Sequence, residues 1–432
     1  MLINFFKGHP TRPLLPTKQI AAAYQRVLLD SDYLSYDNDP LNQHPLTYGT
    51  DPGNFDVRTA IASWNNRVFN TDKSSAQNIN LTGGASYGIA NILASTTSPE
   101  VTRRAFVVSP TYFLINSTFV DVGLGDKLTA VRETPGAHYE IDLQHLEQQL
   151  ERYSQGLELG AGEINIVSDP LRPARKLYRF VIYLVPTFSN PGGLTYSVAT
   201  RQRLLELARR YDMLIISDDV YELLDYSGAS HPLPRFNYLD IATLPAHKTF
   251  GNTISNATFS KIIAPGLRVG WQETATPLLV EQLAVTGANK SGGTPGQLAS
   301  LVVKDLLDTG ALDTIVRDFN KVYQARGKKI LQSLAQHLPQ STVVYGGKGG
   351  YFLWVEIQGG SDFDHSRVVK LLQEKHGVVL AGGEHFEVVG DIQNWGKNSV
   401  RLSLSYLTED EIEKGIKTWG EVLKQEHPEL YV

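Results

Sequence analysis

Apolar positions along the chain switch repeatedly between a helical period and short β-rich runs, beginning near Asp56. The pattern predicts helix over 56–69, strand over 79–81, helix over 86–95, strand over 104–109, helix over 112–122, strand over 128–132 and helix over 143–152. It resumes with strand over 179–185, helix over 197–211, and strands over 213–217 and 256–259. Serial β-α-β units of this kind build an α/β domain around a mostly parallel sheet, and such sheets gather ligands at the carboxyl ends of their strands.

Two flanks break the alternation. Residues 1–50 form a Pro-rich arm, a helix near 18–29 and a Pro/Asn/Asp-rich connection, which together look too polar to be core. Beyond about residue 290 come long helices over 297–307 and 312–334, then strands over 342–345 and 352–357, helix over 366–376, strand over 399–405 and helix over 409–423, a smaller α+β domain. The expected division is thus 1–50, an arm with part of the small domain; 51–290, the large domain; and 291–432, the small domain. Residues 153–178, rich in Gly, Glu, Pro and Arg, lack clear periodicity and read as an insertion or surface loop.

Size and composition suit an enzyme: 432 residues, 42% hydrophobic and 20% charged. A net charge of −5 gives no electrostatic footprint for nucleic acid. The chain has no cysteine, which removes disulfides, thiolate metal sites and a cysteine nucleophile together. No export signal and no membrane span is expected, so the cytosol is the default location. The eleven histidines, His9, His44 and His385 among them, show no metal-ligand spacing, and no metal is expected.

Candidate chemistry lies just after the expected strands. The run Thr258-Phe259-Ser260-Lys261 sets a lysine among hydroxyls, with Arg268 seven residues beyond it. A lysine amine acts covalently only where burial or nearby cations lower its pKa, and an aldehyde cofactor bearing a phosphate needs both an amine and anion donors. An isolated Ser-Lys pair would be a surface lysine at a strand end; agreement with distant segments decides. Asp218, closing an apolar run three residues before Tyr221, can face a buried ring nitrogen, or Asp218 or Asp219 can be a helix N-cap. Asn190 stands in Asn190-Pro191-Gly192-Gly193, a tight turn that aims it at a ring oxygen. In Thr82-Gly83-Gly84-Ala85-Ser86 a strand meets a glycine turn and a helix start, whose N–H groups bind phosphate.

Gly84-Ala85-Ser86-Tyr87-Gly88 also matches the nucleophile elbow of serine hydrolases, with Asp218 and His385 following in a permissible order. Only one strand precedes Ser86, however, and no His-Gly oxyanion segment lies upstream, so hydrolysis is disfavoured. The glycines of 346–350 lack the Gly-Lys-Ser/Thr of a nucleotide loop.

Taken together, Phe6 to Pro10, Tyr48-Gly49, Thr82-Gly83-Gly84, Pro110-Thr111-Tyr112, Asn190 to Gly193, Asp218 to Tyr221, Ser260-Lys261 and Val400 to Ser403 resemble, in order, the fold-type I pyridoxal-phosphate enzymes. The likeness is to class I/II aminotransferases of the kind that includes 2-aminoadipate and kynurenine aminotransferases. It implies an aspartate-aminotransferase-like seven-stranded sheet between helices, and a ping-pong transfer of nitrogen from an amino acid to a 2-oxo acid. It further implies that Lys261 bonds the cofactor and shuttles a proton, Asp218 pairs with the pyridine nitrogen, Asn190 and Tyr221 meet the ring oxygen, and Tyr112 stacks on the ring. Ala85, Ser86, Thr258, Ser260 and Arg268 would cradle the phosphate. Tyr48 would reach the phosphate of the neighbouring subunit, making the enzyme a homodimer with shared active sites. Arg401 would clamp the substrate carboxylate, with Asn190, Gly8 and Tyr351 as further substrate contacts. A β-lyase on the same cofactor, or a low-turnover cofactor-binding regulator, would carry the same motifs. One departure concerns the turn after Asn190, where Gly192 replaces the usual hydroxyl residue and is expected to loosen it.

Overall fold

The computed structural model describes residues 2–157, 164–360 and 363–431. Its main sheet comprises β1 (Ile79–Thr82), β2 (Arg104–Ser109), β3 (Leu128–Arg132), β4 (Phe180–Leu184), β5 (Met213–Asp219), β6 (Thr253–Thr258) and β7 (Gly270–Thr274). The spatial order is β1-β7-β6-β5-β4-β2-β3. Only β7 runs antiparallel to its neighbours; every other pairing is parallel. Both faces are covered, which is why Phe180–Leu184 is buried at every position instead of alternating.

Six of the seven strands follow the expected pattern. β7 escaped it because two of its buried residues, one on each face, are polar: Gln272 bonds Asn80, the Gly88 carbonyl and Asn91, while Glu273 accepts from Ser74 and Asn65. Satisfied polar side chains can be buried without the apolar signature of a strand. Helices Phe236–Thr243 and Pro277–Ala284 also have no counterpart in the expected order. The helix expected over 112–122 is shorter, Ile115–Asp121, since Pro110 to Phe113 form the turn that leads into it.

The stretch over 153–178 is more regular than expected. Within it Ile166–Asp169 and Arg172–Lys176 form an antiparallel hairpin, whose end is anchored by the buried ion pair of Lys176 with Asp212 at 2.7 Å. Residues 158–163 of that stretch lie outside the described residues.

A second sheet, ordered Val343–Gly346, Phe352–Glu356, Ser399–Ser403 and Ala381–Gly382, is antiparallel throughout. The long helix Ala311–His337 packs on the last one, Glu409–Glu426, which starts with a complete capping box at Thr408 and Glu411. The N-terminal arm corrects its polar reading. Ile3 and Phe5 are buried, Ile3–Asn4 pairs in parallel with Val378–Val379, and the Phe5 carbonyl accepts from the Ser403 amide. The arm therefore reaches the cavity on a fixed backbone. No helix among the described residues is long and apolar enough to cross a membrane.

Candidate active site

Chain turns after β1, β4, β5 and β6 all open at one end of the main sheet, as the crevice rule for such sheets requires. There they meet the arm and the Phe352–Glu356 and Ser399–Ser403 strands around a cavity of about 400 Å³. Gly8, Ala85, Ser86, Tyr112, Asn190, Asp218, Tyr221, Thr258, Ser260, Lys261, Arg268 and Arg401, separated by up to 393 positions in the chain, all line it.

Lys261 follows β6 and projects its ammonium into the cavity, where its hydrogen bond is a long one, 3.4 Å, to the Gly8 carbonyl. Burial lowers its pKa to about 8; Asp218 opposes that shift, and Arg401 and Arg268 add to it. Asp218, the last residue but one of β5, has both oxygens engaged, Oδ2 accepting from the Tyr183 hydroxyl at 2.8 Å and Oδ1 from the Asn256 amide at 2.9 Å. No helix begins there, which removes the N-cap alternative. Burial raises the Asp218 carboxyl to about 6 against the pull of those two donors.

Glycines at the helix start are required by what lies behind them. Gly84 has φ +100°, and a Cβ there would stand 2.8 Å from the Arg268 guanidinium. At Gly88 a Cβ would fall 2.0 Å from Asn256 Oδ1, so this glycine makes room for the amide that holds Asp218. The elbow-like motif thus serves a strand-to-helix turn. Ser86 sits in the first turn of Ala85–Thr96, no histidine lines the cavity among the described residues, and His385 stays outside against Glu384 and Phe6. A serine triad is not assembled.

Arg401 lies on Ser399–Ser403, buried, with Nη1 donating to Asn190 Oδ1 at 2.9 Å and Nη2 to the Phe6 carbonyl at 2.7 Å. Its guanidinium carbon stands 4.2 Å over the Phe352 ring and 4.9 Å over Phe386, and burial lowers its pKa to about 10. Nε is buried without a partner. Tyr221 is buried beside Asn190, and burial raises its phenol pKa.

The turn after Asn190 is tight. A Cβ on Gly192 would lie 1.9 Å from Glu133 Oε2, and one on Gly193, at φ +70°, would lie 2.8 Å from Gly346 Cα. Glu133 is itself buried, accepts from the Tyr196 hydroxyl at 2.7 Å, and is pushed up to about 7 by burial. Its carboxyl takes the room that a side chain at position 192 would need, so the glycine does not loosen the turn.

Two expected residues stand elsewhere. Tyr351 is fully buried beneath the cavity floor, its hydroxyl donating to the Lys261 carbonyl at 3.0 Å; it supports the lysine's backbone and does not line the cavity. Tyr48 is 82% exposed, next to Gly292 and away from the cavity of its own chain. Sequence reading missed Tyr183 and Asn256, both of which touch Asp218. Asn256 is the register partner of Asp218 across β5 and β6, a signal that appears only once the strands are paired. None of the described residues over 153–178 lines the cavity.

The donor set fits a phosphorylated pyridine aldehyde on structural grounds: a weakly engaged, half-buried amine, a buried carboxyl fixed from behind, and a positive-φ glycine that admits an arginine to a helix N-terminus.

Comparison with known proteins gives a consistent result. Residues 37–418 match the model of the family described as aminotransferase class I and II. An uncharacterized protein of Saccharomyces cerevisiae is 43% identical over 98% of this chain and 97% of its own. The 2-aminoadipate transaminase of Thermus thermophilus is 25% identical over 98% of this chain and 90% of its own. Among solved structures, Pyrococcus horikoshii kynurenine aminotransferase superposes with a TM-score of 0.77 at 26% identity, covering 99% of this chain and 91% of that one.

Proposed function

Since the chain belongs to the class I and II aminotransferases and is a pyridoxal-phosphate-dependent enzyme that transfers amino groups, we propose how its own residues divide that work. The observation that carries the assignment is the convergence of Lys261, Asp218, Arg268 and Arg401 on one cavity. Pyridoxal phosphate, when bound, contributes an aldehyde that accepts the nitrogen and a ring that takes up the electrons left at the substrate α-carbon.

Lys261 Nζ would hold the cofactor's aldehyde at rest and would carry the proton taken from the substrate α-carbon. Its pKa of about 8 keeps a useful fraction of neutral amine near neutral pH. Asp218 pairs with the ring nitrogen, held in place by Tyr183 and Asn256. Asn190 spends its carbonyl oxygen on Arg401, which leaves its amide to donate to the ring oxygen beside the Tyr221 hydroxyl. Tyr112 covers the ring face. Arg268, the hydroxyls of Ser86, Thr258 and Ser260 and the first N–H groups of Ala85–Thr96 hold the phosphate. Arg401 binds the α-carboxylate of donor and acceptor in turn, a planar fork being suited to that anion.

The substrate side chain extends along Phe6, Phe113 and Phe352, a wall suited to a long apolar stem. The large and small domains divide near residue 290 and exclude water by closing over this cavity. A second copy of the chain completes the site: the exposed Leu34, Leu41 and Leu46 lie beside Tyr48 in the sequence, and their burial in a homodimer would carry the Tyr48 hydroxyl to the partner's phosphate. A panel of amino donors offered with 2-oxoglutarate tests the assignment. Glutamate should accumulate in step with consumption of the donor, whereas pyruvate and ammonia formed without glutamate would refute it.

A further inference from the structure

The cavity includes in its lining one cation to which the reaction described above assigns no partner. Its lining includes the cations Lys7, Lys261, Arg268 and Arg401 against one carboxylate, Asp218. Among the described residues, none of these cations is ion-paired within 4.0 Å of an acid. On the proposed reading, Arg268 answers the cofactor phosphate, Arg401 the substrate α-carboxylate, and Lys261 is consumed covalently, while Asp218 faces a ring cation. Lys7 is left over.

Its position is fixed from both sides. The carbonyl of Phe6 accepts from Arg401 at 2.7 Å and that of Gly8 from Lys261 at 3.4 Å, so the residue between them is held next to the two groups that meet the substrate. The Lys7 backbone is therefore set, whereas its long side chain is exposed and free to turn. Its ammonium now rests 4.4 Å over the Tyr406 ring, whose other contacts include His9 at 4.9 Å between centroids. A cation on an aromatic face at an exposed site is held more weakly than one hydrogen-bonded to a carboxylate, so a carboxylate within reach would draw it away.

From the placement of this unassigned cation, and resting on the aminotransferase reading, we infer that Lys7 binds the second carboxylate of a dicarboxylic amino acid or 2-oxo acid, with the stem of that substrate lying along Phe6, Phe113 and Phe352. When a substrate without a terminal charge enters, the ammonium stays on Tyr406 and the phenylalanines alone receive the side chain. One site can thus serve charged and uncharged partners in the two halves of a ping-pong cycle.

The experiment compares holoenzyme of wild type, Lys7→Met and Lys7→Arg with a fixed amino donor and two acceptors, 2-oxoglutarate and 2-oxopentanoate, which differ by the terminal carboxylate. For Lys7→Met the KM for 2-oxoglutarate should rise roughly tenfold with kcat within about twofold, while the KM for 2-oxopentanoate stays unchanged; a charge-assisted hydrogen bond is worth at least that factor. Lys7→Arg should keep most of the wild-type KM. Calorimetry with unreactive glutarate and pentanoate should show the same selective loss, roughly tenfold, for glutarate alone. Equal changes for both acceptors, or no change for either, would overturn the role of Lys7. Should wild type transfer nitrogen to neither acceptor, the aminotransferase reading fails by itself, and the two unreactive acids still decide on Lys7.

Discussion

Replacing Arg401 with lysine keeps the charge and removes the fork. The guanidinium makes two short bonds, to Asn190 Oδ1 at 2.9 Å and to the Phe6 carbonyl at 2.7 Å, and lies 4.2 Å over Phe352. A lysine can satisfy only one of those acceptors while also reaching the substrate, so one charged hydrogen bond is lost, worth about 1.5–3 kcal/mol, and a buried acceptor goes unpaired at about 1–3 kcal/mol. Together they set an expected loss of about 3 kcal/mol in transition-state binding, roughly a hundredfold in kcat/KM. Because donor and acceptor carry the same α-carboxylate, the factor should be equal in both half-reactions and independent of the side chain. Single-turnover kinetics of each half-reaction, run across several donors and acceptors, measure this directly. A loss under about threefold, or one confined to a single half-reaction, would refute the assignment of Arg401 and with it the orientation of the substrate.

Other expectations follow from the same geometry. Gly192→Ser should cost roughly 2–3 kcal/mol in urea denaturation, because its Cβ would fall 1.9 Å from the Glu133 carboxylate; adding Glu133→Ala should recover part of that loss, and strictly additive costs would show that the two positions are not coupled. For the cofactor-free protein, Lys261→Met should unfold at higher urea than wild type at pH 7. The folded state depresses the Lys261 pKa from 10.5 to about 8, so the penalty is fully present below pH 8 and fades as pH rises toward 10.5. A difference that grows over that window would contradict the burial of the charge.

Sequence pattern revealed the order of the elements and most of the residues that line the cavity because both depend on local chemistry: strand ends, glycine turns and hydroxyl runs. It failed where neighbours decide. The β7 strand hides behind Gln272 and Glu273, whose partners come from other segments. Tyr183 and Asn256 carry no motif and acquire meaning only when β4, β5 and β6 are placed side by side. Gly192 looked like a weakness until Glu133, 59 positions earlier, was found in its place. Tyr351 read as a substrate contact because the sequence could not say which side of Lys261 it occupies.

The central claim is that Lys261 holds the cofactor, and borohydride reduction of the purified protein followed by peptide mass mapping tests it most directly. The near-visible absorbance should disappear on reduction, and the added pyridoxyl mass should reside on the peptide containing Lys261 and be missing from Lys261→Ala. Cofactor mass fixed to a different lysine, or none fixed to the wild-type chain, would contradict the account.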